Sequence, residues 1–218
     1  MNLFKTLFVV VVVALILGAG SQVAWAKIPP CSHGCNDVYS VDYFSNANTA
    51  GAPDATVRVT NPGTHTDRGT LDLDECAMVF VFDANQEMSE CCGCFVSGNA
   101  LLTLSVNKDL TANPLLGAKL KTGVIKIVSA EPIQPCDPTD IDHDDFDTPD
   151  LPNNAPEPAL RSRATHIQNK VGASYPITEG ESQAAVLGAG ELADLAEDCK
   201  VLRELGSGAG ICNCPPAH

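Results

Sequence analysis

Ala55-Thr56-Val57-Arg58-Val59-Thr60, followed at once by Asn61-Pro62-Gly63, sets the character of the chain. Ala55, Val57 and Val59 lie on one side of an extended backbone; Thr56, Arg58 and Thr60 lie on the other. That period of two belongs to a half-buried strand. Asn-Pro-Gly then ends it with turn chemistry. Outward from this point the pattern recurs. Val38 to Phe44 puts Tyr39, Val41 and Tyr43 on one face, and Thr70 to Asp74 turns Leu71 and Leu73 inward. Ala77-Met78-Val79-Phe80-Val81-Phe82 is apolar throughout, as a central strand covered on both faces requires. Leu101 to Val106 and Val124 to Val128 bring the strand candidates to six. Short strands between Gly, Pro, Asn and Asp turns predict an antiparallel β-sandwich over residues 27–130.

Residues 131–158 change character. They hold seven aspartates, Glu131, Glu157 and seven prolines, with no Lys or Arg. Proline blocks regular hydrogen bonding and like charges repel, so this stretch reads as a linker or loop. Beyond it, Leu192, Leu195, Cys199 and Leu202 recur at helical spacing, which predicts a helix over about Gly190 to Leu205. Gly206 is placed as its C′ residue. Leu160 to Asn169 is a weaker helical or extended segment. Residues 159–218 therefore read as a small helical appendage.

The N-terminus has the parts of a secretory signal over residues 1–26: Lys5, an apolar run from Leu7 to Leu17, and Ala24-Trp25-Ala26 before the cleavage point. Cleavage removes one positive charge and no acid from a chain whose formal net charge is already −14. No later stretch is apolar enough to span a bilayer. Such acidity argues against nucleic acid and anionic lipid as partners. The expected compartment is outside the cytoplasm: periplasm, outer surface or extracellular space.

That compartment decides how the ten cysteines read: Cys31, Cys35, Cys76, Cys91, Cys92, Cys94, Cys136, Cys199, Cys212 and Cys214. An even count in an exported chain reads as a disulfide framework. Six cysteines precede the acidic stretch and four lie within or after it, which predicts two separately crosslinked regions. Adjacent Cys91 and Cys92 should bond to different partners, because neighbours rarely reach disulfide geometry. Cys199 lies on the apolar face of the helix, so its partner should approach from the buried side. Cys212 or Cys214 lies close enough in sequence to fold back to it. Zinc or redox chemistry at Cys91-Cys92-Gly93-Cys94, or at Cys31-Ser32-His33-Gly34-Cys35, is the competing reading.

Two other constellations merit testing. Asp140, Asp142 and Asp144 alternate and are followed by Asp145 and Asp147, an oxygen-rich run suited to calcium. An EF-hand would need Gly where Asp145 stands and Glu where Leu151 stands, so only a looser calcium site fits. No other cofactor is indicated. Catalytic motifs are lacking: Leu205 occupies the first glycine position of a G-x-S-x-G elbow around Ser207, and there is no H-E-x-x-H. His33, His65, His143 and His218 are scattered. His166 is the one worth following; an enzyme would need it gathered with a carboxylate and a nucleophile.

The stretch from Cys76 to Cys94, with Thr103 to Asn107, Gly123 to Val128, Thr165 to Gln168 and Gly206-Ser207-Gly208, resembles uncharacterised cysteine-rich exported bacterial proteins. The resemblance covers most of the mature chain. It implies a secreted or envelope protein and transfers no functional residue. The strand and turn from Ala55 to Thr64 are faintly similar to immunoglobulin-like surface modules, which makes the expected sandwich immunoglobulin-like. The expected role is non-enzymatic: structural or adhesive, with protein partners or self-assembly through sheet edges. The strand Val38 to Phe44 is the segment first suspected of being donated between neighbours. A calcium- or ligand-binding module and an exported enzyme are the alternatives.

Overall fold

The computed structural model describes residues 39–63, 73–132, 135–141 and 160–217. The expected signal segment, Cys31, Cys35, His33, His65, His143 and most of the acidic stretch lie outside the described residues. Among those described there are nine strands and one α-helix. In chain order they are β1 (Tyr39–Phe44), β2 (Thr56–Thr60), β3 (Glu75–Asp83), β4 (Met88–Val96), β5 (Leu101–Ser105), β6 (Gly123–Ala130), β7 (Arg161–Ile167), β8 (Ile177–Glu181), β9 (Gln183–Ala185) and α1 (Ala189–Leu205). No helix among them is long and apolar enough to cross a membrane.

The strands form two antiparallel sheets, one ordered β4-β3-β6-β1-β9 and the other β5-β2-β7-β8. The side-chain pattern of β3 shows how the layers stack. Ala77, Val79 and Val81 join Val57, Val59, Leu102 and Leu104 of the second sheet in one core. Cys76, Met78 and Phe80 point the other way, into a second core with Leu192, Leu195, Cys199 and Leu202 of α1. The first sheet is thus a middle layer between the second sheet and the helix. This is why β3 reads as a continuous apolar run: every residue from Cys76 to Val81 is fully buried. β1 has the same double coverage, with Phe44 in the first core and Tyr39 in the second.

The immunoglobulin-like expectation does not extend to topology. A constant-type immunoglobulin sandwich orders its strands 1-2-5-4 and 3-6-7. The orders observed here differ, and the likeness ends at two antiparallel sheets sharing a core. The expected separate appendage is also corrected. Residues after the acidic stretch supply β7 beside β2, β8 beside β7 and β9 beside β1, so strand pairing crosses the predicted boundary at 131–158. Only α1 is helical there. The segment Leu160–Asn169 resolves as strand β7, whose Ala164 packs inward against Val57 of β2.

Local chemistry explains several boundaries. Asn61, fully buried, donates from Nδ2 to the Leu73 and Val96 carbonyls and accepts the Gly63 amide on Oδ1. The turn predicted from Asn-Pro-Gly thereby ties the ends of β2, β3 and β4. Leu73 and Asp74 are not in a strand, so the part of the expected Thr70–Asp74 strand that is described is absent. At the end of α1, Gly206 keeps a right-handed backbone (φ −73°), and Ser207 takes the left-handed one (φ 49°) instead. Gly206 is needed for a different reason: a Cβ there would lie 2.2 Å from the Ala209 carbonyl oxygen.

Candidate functional site

The densest chemistry lies on β4. Successive side chains of a strand point to opposite faces. Cys91 therefore faces α1 and bonds to Cys199, whereas Cys92 and Cys94 face the other way and bond to Cys212 and Cys214. The fourth described disulfide, Cys76–Cys136, ties β3 to the start of the acidic stretch. None of the described cysteines is free. Every one of these bonds joins a cysteine at or before Cys94 to one at or after Cys136. The six-plus-four division into separately crosslinked regions is therefore overturned; parity in sequence says nothing about which strand faces which. Cys199 does receive its partner from the buried side, but the partner is Cys91, not Cys212 or Cys214.

The C-terminal segment covers the outer edge of β4. Cys91 donates its amide to the Gly210 carbonyl at 2.9 Å and accepts the Cys212 amide at 3.3 Å, so the segment runs parallel to the strand. It is held on its other side by the 108–113 segment, which follows β5 as a short π-helical turn (Val106–Leu110). Gly210 donates to the Asn113 carbonyl, Asn213 donates to the Asp109 carbonyl, and the Asn113 amide side chain donates to the Gly208 carbonyl.

Glu90 sits beneath this arrangement and is fully buried. Its Oε1 accepts the Asn113 amide at 2.9 Å, and its Oε2 has no hydrogen-bond partner among the described residues. Burial pushes the carboxyl up to about 7, against the smaller lowering effect of the Asn113 amide. Next to it Ser89 Oγ is also buried and has no hydrogen-bond partner among the described residues. Ser89 lines a cleft of about 270 Å³ whose wall is otherwise mostly apolar, from Met88, Leu115 and Leu120, with Asp83 and Glu87 at hand. The sequence reading missed Glu90. Its signal was an acid embedded in the cysteine-rich run next to Cys91.

His166 is gathered with a carboxylate and a hydroxyl. Its Nε2 lies 3.4 Å from Asp42 Oδ1, its Nδ1 lies 3.1 Å from the Tyr43 carbonyl, and its ring stacks on Tyr43 with centroids 4.1 Å apart. Ser182 donates its hydroxyl to the other Asp42 oxygen at 2.9 Å. A nucleophile must hydrogen-bond the base that takes its proton. Here the serine bonds the carboxylate and both imidazole nitrogens face other acceptors. The group acts as a crosslink among β1, β7 and the β8–β9 turn.

Of the acids proposed for calcium, Asp142, Asp144, Asp145 and Asp147 lie outside the described residues. Asp140 is exposed and closes a turn by donating its amide to the Asp137 carbonyl. The engaged acid is Asp137. Burial raises its carboxyl, but the Thr139 amide and hydroxyl and the Arg203 guanidinium outweigh it and hold the group below the ordinary range. The Asp137–Arg203 ion pair joins the acidic stretch to α1. On the opposite end of the helix, Lys126 pairs with Glu191 and holds that carboxyl low, and Tyr39 donates its hydroxyl to the same oxygen. Comparisons of the chain with family models, with curated proteins and with solved structures return no match.

Proposed function

We propose that this chain is an exported, non-enzymatic structural or adhesive protein that associates with further copies of itself through the free edge of β5. The contrast between the two edges of the second sheet supports this reading. In an antiparallel ladder alternate residues turn their N–H and C=O groups outward. Val106 donates to the Ala55 carbonyl and Asn61 to the Ala100 carbonyl, so the inward-bonded residues of β5 are Leu102 and Leu104. Leu101, Thr103 and Ser105 therefore face outward. Asp109 Oδ2 accepts the Ser105 amide, which leaves Leu101 and Thr103 open among the described residues. β5 carries no charge, and Leu101 is exposed.

The edge at β8 is defended. Glu179 pairs with Arg58 at 2.8 Å and Glu181 with Arg163 at 2.7 Å, and charged edges resist strand addition. The first sheet's edge at β4 is covered by the C-terminal segment. The suspected donor strand, β1, lies between β6 and β9 and bonds to both. Deleting it removes an internal strand, so that experiment cannot separate assembly from folding, and β5 is the better place to intervene.

Sedimentation of the oxidised, exported protein over a wide concentration range tests the proposal. Reversible oligomers are expected. Thr103→Lys places a charge on the open edge and should shift the protein to monomer, with folding stability changed by less than about 0.5 kcal/mol. A wild-type protein monomeric at every concentration would refute self-association, and a variant that oligomerises unchanged would refute the β5 edge as its route.

A further inference from the structure

We propose that Cys92–Cys212 and Cys94–Cys214 form a thiol–disulfide exchange relay, in which reduction of the outer bond passes inward and releases the C-terminal segment from β4. Cys92 and Cys94 lie on the same face of β4, and their Sγ atoms are 4.0 Å apart although they are not bonded to each other. The Cys214 sulfur is in the same group, with all three within 4.8 Å. Exposure is graded across the set. Cys214 is exposed, whereas Cys92, Cys94 and Cys212 are buried. A reductant in solvent thus meets Cys214 and is kept from the inner bond.

Two crosslinks so close together are nearly redundant as staples. Each spans 120 residues. Once one is formed, the second closes a ring of only a few residues, so it adds little to the restriction of the unfolded chain. What the second bond does add is a disulfide within contact of another disulfide.

The electron flow balances with a dithiol as reductant. Its thiolate attacks Cys214 Sγ, and Cys94 leaves as a thiolate. The second thiol of the reductant then displaces Cys214, giving a cyclic disulfide and a Cys214 thiol. The Cys94 thiolate attacks Cys92 Sγ, forming Cys92–Cys94 and expelling Cys212, which takes a proton from water. The sum is a two-electron reduction in which one protein disulfide is lost and the survivor lies wholly within β4. Thiolates exchange in this way when the target sulfur is within reach. Residues two apart in an extended strand have Cα atoms about 6.6 Å apart, near the upper limit for a disulfide of about 6.8 Å. Gly93 stands between the two cysteines, and glycine accommodates the bend this demands. Its lack of a side chain is already required, since a Cβ there would lie 2.1 Å from the Cys136 carbonyl oxygen.

Once Cys212 and Cys214 are free, no covalent bond ties the segment to β4, and there it is held by packing and by the hydrogen bonds of Cys91 with Gly210 and Cys212. Limited reduction of the oxidised full-length exported protein with dithiothreitol, acid trapping and alkylation in denaturant tests the relay. The peptide following Arg203 carries Cys212 and Cys214. In the two-electron-reduced species this peptide should carry both labels and no crosslink to the β4 peptide. One label on each peptide with Cys92–Cys212 still intact would overturn the relay, as would four free thiols appearing together. A second measurement needs no reductant. In Cys214→Ser the unpaired thiol should be found on Cys212; a thiol remaining on Cys94 would refute the exchange step.

Discussion

Replacing both Cys91 and Cys199 by serine is expected to lower the stability of the oxidised protein by about 3 kcal/mol, roughly 6–12 °C in melting temperature. The size of this effect depends on the other crosslinks. Taken alone, the bond closes a loop spanning 108 residues, which the chain-entropy account values at more than 4 kcal/mol. Cys92–Cys212 already closes almost the same loop. With that bond intact, the ring added by Cys91–Cys199 runs only from Cys199 to Cys212 and back through Cys92, about 15 residues, for which the same account gives about 3 kcal/mol. The effect should be concentrated in α1. Amide exchange over Ala189–Leu205 should quicken more than exchange in β3 or β6, because the bond joins the helix to β4. A loss below about 1 kcal/mol would mean that Leu192, Leu195 and Leu202 dock the helix by packing alone.

Glu90→Gln is expected to remove a pH-dependent loss of stability of about 3 kcal/mol between pH 4.5 and pH 8. The folded carboxyl titrates near 7 because it is buried, and the unfolded one near 4.5. Between those values the folded chain binds more protons than the unfolded chain. Stability from this group therefore falls as pH rises through that window and levels off above about 7. Glutamine keeps an acceptor for the Asn113 amide and has no charge to bury. Wild type and variant should differ little in pH response below pH 4.5 and diverge steadily up to pH 7, with the variant gaining. Parallel denaturant-derived stability curves across this range would show that Glu90 is not the group responsible.

The strands that alternate or run apolar were legible: β1, β2, β3, β5 and β6 all lie within a few residues of their expected places. The strands that escaped notice share a physical cause. β4 is written Met-Ser-Glu-Cys-Cys-Gly-Cys-Phe-Val, whose buried positions include Ser89 and Glu90 and whose cysteines read first as chemistry. β8 is almost wholly exposed, so it has no apolar face to show a period. β7 was read only as a helical or extended segment, because its inward positions, Ala164 and His166, are set among two arginines, a serine and a threonine. Of the sites, the cysteines were legible as crosslinks and His166 as a residue to follow. Its partners Asp42 and Ser182 were not, since they are 124 and 16 residues away.

What the sequence determined by itself is local: where strands alternate, where Asn61-Pro62-Gly63 turns the chain, which face of α1 is apolar, and that the cysteines pair. These follow from periodicity and residue type over a few positions. The immunoglobulin-like order, the separate C-terminal region and the two independent groups of cysteines did not survive, because each depended on which distant strands become neighbours. Three of the four described bonds begin on β4, and they reach α1 and the C-terminal segment on opposite faces of one strand. Alternation along β4 made that divergence available. Only the packing of α1 on one side and the second sheet on the other decided which cysteine each face would meet.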